Sequence, residues 1–318
     1  MSTSTSPVIC FGECLIDLIA ETGHDLSAAA SLTIREGGAP MNVAVGLARL
    51  GVPTAICSVV GQDPFGNRLL ALLDREQVDR TRMRRSPELD TTIAYAWRDA
   101  RGDGSFRLVR MADCLLDVAD VDGVAIDQAI AIVVGSVSLS AQPSRSAIEH
   151  AVRVAAGYQV PIVFDVNVRP TLWSDLGLLR DACEPILQQA TVVKLSLDDA
   201  ASLWQSTAMN DIERNLAELP SPVIVVTDGA RATWVRRGTP GRWSRHEVFT
   251  VDAVEPTGAG DAFTAALVSC LLASNWGALT DDDIEFAMAA GAMTTTRAGA
   301  IDALPTAADI AHFLDSRI

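Results

Sequence analysis

The alternation of two kinds of segment constrains the fold of this chain more than any other feature. Six short runs rich in apolar and β-branched residues are separated by stretches in which apolar residues recur with a helical period. Short continuous apolar runs are typical of strands buried on both faces, and strands that alternate with helices form parallel sheets covered on both sides. We therefore predict an α/β fold with a central, mostly parallel sheet. The predicted strands are 8–11, 55–60, 129–134, 161–165, 191–195 and 223–227, and the predicted helices are 41–50, 65–76, 144–156, 175–189, 211–219, 259–273, 281–294 and 306–316.

Two segments depart from this pattern and alternate between polar and apolar residues. They are residues 15–36 and 91–108, and the second contains Thr-Ile-Ala-Tyr-Ala-Trp at 92–97. Such alternation is typical of strands with one exposed face, and Arg-Gly-Asp-Gly at 101–104 has the composition of a hairpin turn. We predict that insertions at about 15–36 and 91–110 build a small antiparallel sheet on a single domain spanning residues 1–318. Such a sheet is a candidate lid or dimer surface.

Charge and composition argue against several classes of partner. The 318 residues carry 25 basic and 40 acidic side chains, a formal charge of −15, so this chain would repel a nucleic acid. The longest basic run, Arg-Met-Arg-Arg at 82–85, is interpreted as a solvated loop. We expect no membrane partner, because no apolar run is long enough for a transmembrane helix and the start lacks the features of a secretory signal. Six scattered cysteines without a Cys-x-x-Cys pair are typical of a reduced, cytoplasmic protein.

The strongest local motif is Glu-Pro-Thr-Gly-Ala-Gly-Asp-Ala-Phe at 255–263, which leads into an apolar predicted helix. Small residues let backbone N–H groups approach an anion closely, and the positive end of the helix adds to the attraction. Gly258, Ala259 and Gly260 are therefore candidates for holding a phosphoryl group during transfer. Asp261 lies in the first turn of the predicted helix, where spacing alone allows either an N-cap or a general base. The motif lacks the lysine of a Walker A loop.

A second motif, Gly-Gly-Ala-Pro-Met-Asn at 37–42, also leads into a predicted helix. Gly37 and Gly38 leave space for a ligand against bare backbone. The side-chain amide of Asn42 offers both donors and an acceptor, which suits sugar hydroxyls. From these residues alone, an ordinary loop before a helix is the alternative interpretation.

Together, in this order and roughly 220 residues apart, the two motifs resemble the signatures of the ribokinase-like (PfkB) family of carbohydrate kinases. The resemblance covers nearly the whole chain. Phe-Gly-Glu-Cys-Leu-Ile-Asp at 11–17 resembles the first strand of the family, which ends in a substrate-binding Asp. Asp-Val-Asn-Val-Arg at 165–169 with Leu-Trp at 172–173, Lys-Leu-Ser-Leu-Asp-Asp at 194–199 and Thr-Asp-Gly at 227–229 resemble further family segments. The resemblance implies a three-layer α/β/α fold with a central, mostly parallel sheet and a small β-sheet lid.

The resemblance also implies roles for individual residues. Asp261 is expected to accept the proton of the attacking sugar hydroxyl, and the amides of Gly258, Ala259 and Gly260 to hold the γ-phosphoryl group of ATP. The residues expected to bind the sugar are Asp17, Gly37, Gly38, Asn42 and Arg169. Those expected to bind the nucleotide are Lys194, Ser196, Thr227, Gly229, Gly258, Gly260 and Gly291. Those expected at metal ions are Asp199 for hydrated Mg²⁺, and Glu255, Thr257, Ala298 and Ala300 for a monovalent cation such as K⁺.

Several of these positions carry an alternative or depart from the family pattern. Arg169 could form a structural ion pair, Asp199 could be an ordinary acid at a helix start, and Gly291 could serve core packing alone. Glu255 stands where the family often has Asp, Ser196 where Asn is typical, and Asp199 where Glu is usual. The longer side chain of Glu255 puts the geometry of the cation site in question.

The resemblance is strongest to fructokinases, so we expect phosphorylation of fructose at its terminal hydroxyl. Within the class the alternative is 2-keto-3-deoxygluconate kinase, whose carboxylate substrate could use Arg107, Arg110 and Arg169. An adenosine-type nucleoside kinase is disfavoured, because the predicted lid has few aromatic residues for stacking. Outside the class, the alternative is a non-catalytic sugar-binding or regulatory protein on the same fold. The expected partners are the sugar, ATP and a second copy of the chain joined through the lid.

Overall fold

Thirteen strands, eleven α-helices and four short 3-10 helices make up the regular structure of the residues that the computed structural model describes, which are 6–20, 26–98 and 104–317. The strands are β1 (Val8–Phe11), β2 (Leu15–Ala20), β3 (Leu32–Gly37), β4 (Thr54–Gly61), β5 (Asp79–Ser86), β6 (Ile93–Arg98), β7 (Gly104–Val109), β8 (Ala131–Gly135), β9 (Ile162–Asp165), β10 (Val192–Ser196), β11 (Val223–Asp228), β12 (Ala232–Gly238) and β13 (Gly241–His246). The helices are α1 (Ala39–Arg49), α2 (Pro64–Arg75), α3 (Val118–Asp122), α4 (Ser144–Gly157), α5 (Leu176–Leu187), α6 (Leu197–Trp204), α7 (Met209–Leu216), α8 (Ala259–Ala273), α9 (Asp281–Thr295), α10 (Ala300–Ala303) and α11 (Ala307–Asp315).

The larger sheet has nine strands in the order β13-β12-β11-β10-β9-β8-β1-β4-β5. Every neighbouring pair from β11 to β5 is parallel, and only β12 and β13 add an antiparallel edge. This confirms the predicted α/β fold with a mostly parallel central sheet. Since the carboxyl ends of parallel strands meet at one edge, side chains that follow β1, β9, β10 and β11 are brought to the same side of the molecule.

Helices cover both faces of the larger sheet because its strands are apolar on both faces. In β1, Val8 and Cys10 pack into one core cluster, while Ile9 and Phe11 pack into the other. The first cluster includes residues of α1, α2, α8 and α9, and the second includes residues of α3 to α7. Strand side chains alternate between faces with a period of two, which gives the three layers expected from the sequence.

The smaller sheet has the order β3-β2-β6-β7, and it arises from the two segments that the sequence singled out. The prediction that it is antiparallel is wrong for its central pair, because β2 and β6 run parallel. Along the chain, β2 follows β1 and β6 follows β5. Because β1 and β5 run in the same direction in the larger sheet, β2 and β6 enter the smaller sheet in the same direction. The pair β6 and β7 is antiparallel, as a hairpin requires, although the predicted turn at 101–104 lies, except for its last residue, outside the described residues.

The basic run at 82–85 is not the solvated loop that the sequence suggested. It belongs to β5, the edge strand of the larger sheet. Arg84 forms two hydrogen bonds to the carboxylate of Asp120 in α3, at 2.7 and 2.8 Å. The charges conceal the strand in the sequence because an edge strand tolerates arginines that pair with neighbouring acids.

A second correction concerns the position of Asp17. The first strand ends at Phe11, and Asp17 lies inside β2 of the smaller sheet rather than at the end of β1. Gly12, with a φ of 138°, marks the turn between the two sheets. Because of this turn, Asp17 reaches the site from the smaller sheet and not from the larger one.

None of the described helices has the length and apolar character needed to span a membrane. All six cysteines are free thiols.

Candidate active site

Helix α8 begins at a loop whose geometry requires glycine. Gly258 precedes the first helical residue and has a φ of 83°, in the left-handed region that glycine adopts without strain. A Cβ at this position would lie 2.8 Å from the Cβ of Ala300. The first N–H groups of a helix have no acceptor inside it, so this end of α8 presents donors and a positive dipole. One of these donors, the Ala259 N–H, already donates to the carbonyl of Pro256 at 3.2 Å. Gly258 and Gly260 flank it in the loop.

Asp261 is the third residue of α8 and is buried, with 8% of its surface exposed. The N-cap position belongs to Gly258, so the N-cap interpretation of Asp261 is wrong. Its carboxylate instead accepts a hydrogen bond of 2.7 Å from Nδ2 of Asn42 in α1. The remaining amide oxygen of Asn42 is buried and has no hydrogen-bond partner among the described residues. The pair therefore offers a carboxylate and an unused acceptor side by side.

Close packing of α1 on α8 brings Asn42 to Asp261. Gly46 of α1 lies against Ala265 of α8, and a Cβ on Gly46 would be only 2.8 Å from the Cβ of Ala265. Gly46 is one helical turn after Asn42, and Ala265 is one turn after Asp261, so the same helix faces meet at both levels. The small residues Gly46 and Ala265 thus let the two helices approach closely enough for Asn42 to reach Asp261, one turn earlier in each helix.

The two glycines before α1 make room for acidic groups. A Cβ on Gly37 would lie 2.2 Å from Oδ2 of Asp17, and one on Gly38 would lie 2.4 Å from the carbonyl oxygen of Glu13. Gly38 also has a φ of 106°. The backbone at this point is therefore packed against Asp17 and Glu13, next to the helix that carries Asn42.

A buried ion pair lies below the glycine loop. Both carboxylate oxygens of Asp165, at the end of β9, are 3.0 Å from Nζ of Lys194 in β10. Thr264 of α8 donates a further hydrogen bond of 2.7 Å to Asp165. A Cβ on Gly260 would lie 2.8 Å from Nζ of Lys194, so the ammonium group directly adjoins the loop. Sequence reasoning gave no role to Asp165, although it lies in the Asp-Val-Asn-Val-Arg segment quoted for the resemblance.

Arg169 faces the same region from the loop after β9. Its Nη1 donates to Oδ1 of Asn167 at 2.6 Å, and its guanidinium lies 5.6 Å from the ring centroid of Phe106 in β7. Within the described part of the chain it forms no salt bridge to a carboxylate, so the alternative interpretation as a structural ion pair finds no partner there.

Three carboxyl groups of the site have pKa values raised towards neutrality. Burial is the main cause at each: it raises the pKa of Asp261 to about 6, that of Asp17 to about 7 and that of Glu13 to about 7. The charge of Asp165 raises the pKa of Asp261 further, and the hydrogen bond from Asn42 lowers it. The positive charge of Arg169 lowers the pKa of all three groups. Glu13 was missed from the sequence; an acid inserted in an apolar run is the signal that could have identified it.

The predicted nucleotide residues lie at the carboxyl edge of the larger sheet. Ser196 at the end of β10 is opposite Thr227 of β11 in the parallel register, and Gly229 follows in the next turn with a φ of 49°. Gly291 is buried in α9, where a Cβ would lie 3.1 Å from the carbonyl of Ala259. This contact supports a packing role for Gly291 beneath the glycine loop.

The predicted metal residues fall into two groups. Asp199 forms a capping box with Ser196 at the start of α6, and its other oxygen accepts the N–H of Val168 at 2.6 Å. Its carboxylate is thus already committed to hydrogen bonds, as an acid at a helix start would be.

Glu255 accepts the N–H of Gly299 at 3.0 Å, so its side chain reaches the loop that contains Ala298 and precedes Ala300. Thr257 is exposed beside the glycine loop. No group of three or more His, Cys, Asp and Glu side chains is arranged to hold a metal within the described residues.

Comparisons with known proteins identify the family to which this chain is similar. The family described as pfkB family carbohydrate kinase matches residues 6–307. The chain is 35% identical to a probable chloroplastic fructokinase-6 of Arabidopsis thaliana, over 96% of this chain and 82% of that protein. It is 37% identical to a fructokinase of Klebsiella pneumoniae, over 87% of this chain and 91% of that protein. A fructokinase double mutant of Vibrio cholerae, solved with fructose, ADP and a potassium ion, superposes with a TM-score of 0.85 at 30% identity, covering 99% of this chain and 100% of that one.

Proposed function

The chain belongs to the pfkB family of carbohydrate kinases, and we propose that it transfers the γ-phosphoryl group of ATP to the terminal hydroxyl of fructose, giving fructose 6-phosphate. The observation that carries this proposal is the position of Asp261. It is a buried carboxylate that adjoins the Gly258–Gly260 loop and is hydrogen-bonded to Asn42 at 2.7 Å. An acid placed between a phosphate-binding loop and a sugar-binding side chain is what transfer to an alcohol requires.

Asp261 acts as the general base in this mechanism. The terminal hydroxyl of the sugar donates its proton to the Asp261 carboxylate as its oxygen forms a bond to the γ-phosphorus, and the bond from that phosphorus to the β–γ bridging oxygen breaks to release ADP. With a pKa of about 6, the carboxylate is mostly ionised at neutral pH, yet it binds a proton more tightly than an exposed Asp does. Both properties suit a base that must accept a proton and later release it.

The glycine loop and Lys194 supply positive potential for the transferring group. The loop of Gly258, Ala259 and Gly260 lies at the positive end of α8, where charge developing on the phosphoryl oxygens is stabilised, although the Ala259 N–H itself is held by the carbonyl of Pro256. The buried ammonium of Lys194 places the positive end of its ion pair with Asp165 next to Gly260. Its ion pair with Asp165 keeps it ionised, since Asp165 raises the pKa of Lys194 against the effect of burial.

The sugar lies, in this proposal, among Asp17, Gly37, Gly38, Asn42 and Arg169. Asp17 accepts hydrogen bonds from sugar hydroxyls, the unpartnered oxygen of Asn42 accepts another, and Arg169 donates hydrogen bonds to the sugar. The backbone of the two glycines gives the ring a surface without side chains. The smaller sheet carries Asp17 over the site, and we propose that it acts as a lid that excludes water, which would otherwise accept the phosphoryl group.

The nucleotide and its metal belong on the other side of the glycine loop. Ser196, Thr227 and Gly229 would line the nucleotide pocket. Magnesium neutralises charge on the phosphates of ATP and binds proteins through few carboxylates and several waters. The described residues fit that mode: Asp199, whose oxygens already accept hydrogen bonds, would hold the hydrated ion through water rather than directly.

A monovalent cation fits the loop beside Glu255 less simply. The carbonyls of Thr257, Ala298 and Ala300 are the candidate ligands, with Glu255 as the neighbouring charge. One oxygen of Glu255 is already used by the Gly299 N–H, which fixes the loop without a cation. We therefore propose that K⁺ binds here as an activator and that the loop keeps its shape in its absence.

The arrangement of the arginines favours fructose over a sugar acid. Arg110 is held by the carboxylate of Asp113 at 2.7 Å, by the carbonyl of Val137 at 2.8 Å and by Ser140 at 2.6 Å. Arg107 is exposed on the face of the smaller sheet opposite to Asp17, as the register of β2, β6 and β7 shows. Arg110 also borders the site, since its charge lowers the pKa of Glu13, but these three contacts hold its guanidinium. Arg169 is then the one arginine of the three left to bind a substrate carboxylate, which would call for an arginine pair.

An ATP-consumption assay over a panel of fructose, 2-keto-3-deoxygluconate, ribose and adenosine tests this proposal. We expect sugar-dependent turnover with the highest kcat/KM for fructose. A higher kcat/KM for the keto acid would move the assignment to that substrate, and turnover with none of the panel would contradict the proposed reaction.

The outer face of the smaller sheet is the proposed dimer surface. Leu32, Ile34 and Val109 lie on this face and are each about 36–37% exposed. We propose that a second copy of the chain covers them.

The free cysteines also support the expectation of a cytoplasmic protein.

A further inference from the structure

The guanidinium of Arg169 is fixed from the side of the larger sheet. Asn167 has a φ of 44°, a left-handed conformation that is uncommon for a residue other than glycine. In this conformation its Oδ1 accepts a hydrogen bond of 2.6 Å from Nη1 of Arg169, and the same nitrogen donates to the carbonyl of Val168 at 3.1 Å. Backbone strain at Asn167 thus sets one edge of the guanidinium.

The same guanidinium is contacted by an aromatic ring from the smaller sheet. Phe106 of β7 has its ring centroid 5.6 Å from the central carbon of the Arg169 guanidinium, within the range of a cation–π contact. Phe106 is opposite Ala96, which is opposite Ile19, two residues from Asp17. Since side chains two apart share a face, Phe106 and Asp17 project from the same face of the sheet.

The positive charge of Arg169 acts on carboxyl groups of both the smaller sheet and helix α8. Its charge lowers the pKa of Asp17 on the smaller sheet and that of Asp261 on α8. The direction in which its free N–H groups point therefore matters for sugar binding. Asn167 and Phe106 set the direction of these N–H groups together. Asn167 belongs to the loop after β9 and does not move with the smaller sheet, whereas Phe106 lies in β7 and moves with it.

We propose that Phe106 is a positioning residue of the sugar site: its ring orients the Arg169 guanidinium only when the smaller sheet is closed, so closure of the lid completes the cationic side of the site. The proposal rests on the sugar kinase reaction proposed above and adds a residue to which that reaction gives no role. It also gives a role to the cation–π contact between Arg169, after β9 of the larger sheet, and Phe106 of the smaller sheet.

Two substitutions at one position separate the ring from its apolar bulk. Phe106→Tyr keeps the aromatic face, and Phe106→Leu keeps a large apolar side chain without it. For Phe106→Leu we expect KM for fructose to rise about 3- to 10-fold, with kcat and KM for ATP within about 2-fold of the wild type. For Phe106→Tyr we expect all three constants within about 2-fold of the wild type. Equal effects of the two substitutions, or a fall in kcat alone, would overturn the proposal.

A double-mutant cycle with Arg169→Gln tests whether the effect passes through the guanidinium. In the Arg169→Gln background, Phe106→Leu should change KM for fructose by less than about 2-fold, because the group that the ring orients is gone. An undiminished effect in that background overturns the proposal even if the enzyme phosphorylates fructose. If the wild type turns over no sugar, the proposed reaction fails by itself, and the cycle is measured on the urea midpoints of the same four proteins. If Phe106→Leu shifts the urea midpoint equally in the wild-type and Arg169→Gln backgrounds, the ring does not act through the guanidinium and the proposal is overturned.

Discussion

Asn42 and Asp261 are 219 residues apart in the sequence and share a buried hydrogen bond of 2.7 Å. The bond joins the two motifs that sequence analysis identified separately. It leaves the amide oxygen of Asn42 without a partner among the described residues, and it leaves Asp261 next to the glycine loop of α8. The two side chains thus form the boundary between the proposed sugar-binding region and the proposed phosphate-binding region.

Removing the charge of Asp261 should separate binding from turnover. Asp261→Asn retains the shape of the side chain and an oxygen that can accept the Asn42 hydrogen bond, but it cannot accept a proton. We expect kcat to fall roughly 10²- to 10⁴-fold, the usual contribution of a general base, with the Kd for fructose within about 10-fold of the wild type. Steady-state kinetics and titration calorimetry measure the two quantities. A variant with the kcat of the wild type would refute the assignment of the base.

The same substitution should stabilise the fold at high pH. Burial raises the pKa of Asp261 from 3.8 to about 6 in the folded protein, so the folded state holds this proton more tightly than the unfolded state does. The wild type therefore loses stability as the pH rises from about 4 to above 6, by an amount on the order of 3 kcal/mol. Asp261→Asn avoids this loss. Urea unfolding should show the variant to be the more stable protein at pH 8, with a smaller gap at pH 5; a constant gap would contradict this origin.

Asn42 should affect both sugar affinity and the pH dependence of the rate. Its hydrogen bond lowers the pKa of Asp261. In Asn42→Leu the pKa of Asp261 should rise, and the acid limb of the kcat/KM profile should move to higher pH, because the base must be unprotonated. Loss of the hydrogen bonds should raise KM for fructose roughly 10- to 100-fold.

The matched control for this variant is Asn215→Leu. Asn215 lies in α7 and bonds only to the carbonyl of Asp211 among the described residues. Its substitution should leave both KM and the pH profile unchanged. An Asn42→Leu profile that coincides with that of the wild type would show that Asn42 does not act on the catalytic carboxylate.

Some parts of this site can be read from the sequence, and others depend on contacts between distant segments. The glycine loop at 258–260 and the pair Gly37-Gly38 are visible because their chemistry is local: small residues precede a helix. Glu13 is harder to identify, because its burial and its charged neighbours, such as Arg110 and Arg169, come from distant segments of the chain. The arginines of β5 conceal a strand for a related reason, because their partners lie on α3. Register is equally non-local, and the parallel pairing of β2 with β6 could not be predicted from alternation alone.

Gly38 should be irreplaceable for two separable reasons. Its φ of 106° is strained for any other residue, and a Cβ would lie 2.4 Å from the backbone oxygen of Glu13. Gly51 provides a matched control, since it has a φ of 81° and open space around the position of a Cβ. We expect Gly51→Ala to cost about 1 kcal/mol of unfolding free energy, and Gly38→Ala at least about 2 kcal/mol more with a large rise in KM for fructose. Equal costs in urea unfolding would show that the Glu13 contact relaxes freely.

The outer face of the smaller sheet should hold two copies of the chain together. Ile34 lies on the edge strand β3, in a row with Leu18 and Tyr95, and is 37% exposed. A carboxylate introduced there would be buried against an apolar partner surface, so Ile34→Asp should convert a dimer into a monomer of 33.7 kDa. Tyr158→Asp is the matched control, because Tyr158 is 64% exposed at the end of α4, far from this sheet in the fold, and its substitution should leave the dimer intact.

Sedimentation equilibrium of the three proteins decides this prediction. A wild type that sediments at the monomer mass would refute the dimer. A dimer that persists in Ile34→Asp would place the interface on another surface. If the variant is monomeric, its kinetics carry a second result: the sugar-facing side chains of the smaller sheet remain in place, but the sheet is no longer held from outside. Since Phe106 and Asp17 reach the site only through that sheet, we expect KM for fructose to rise in the monomer, while KM for ATP, whose predicted contacts lie on β10 and β11, stays the same.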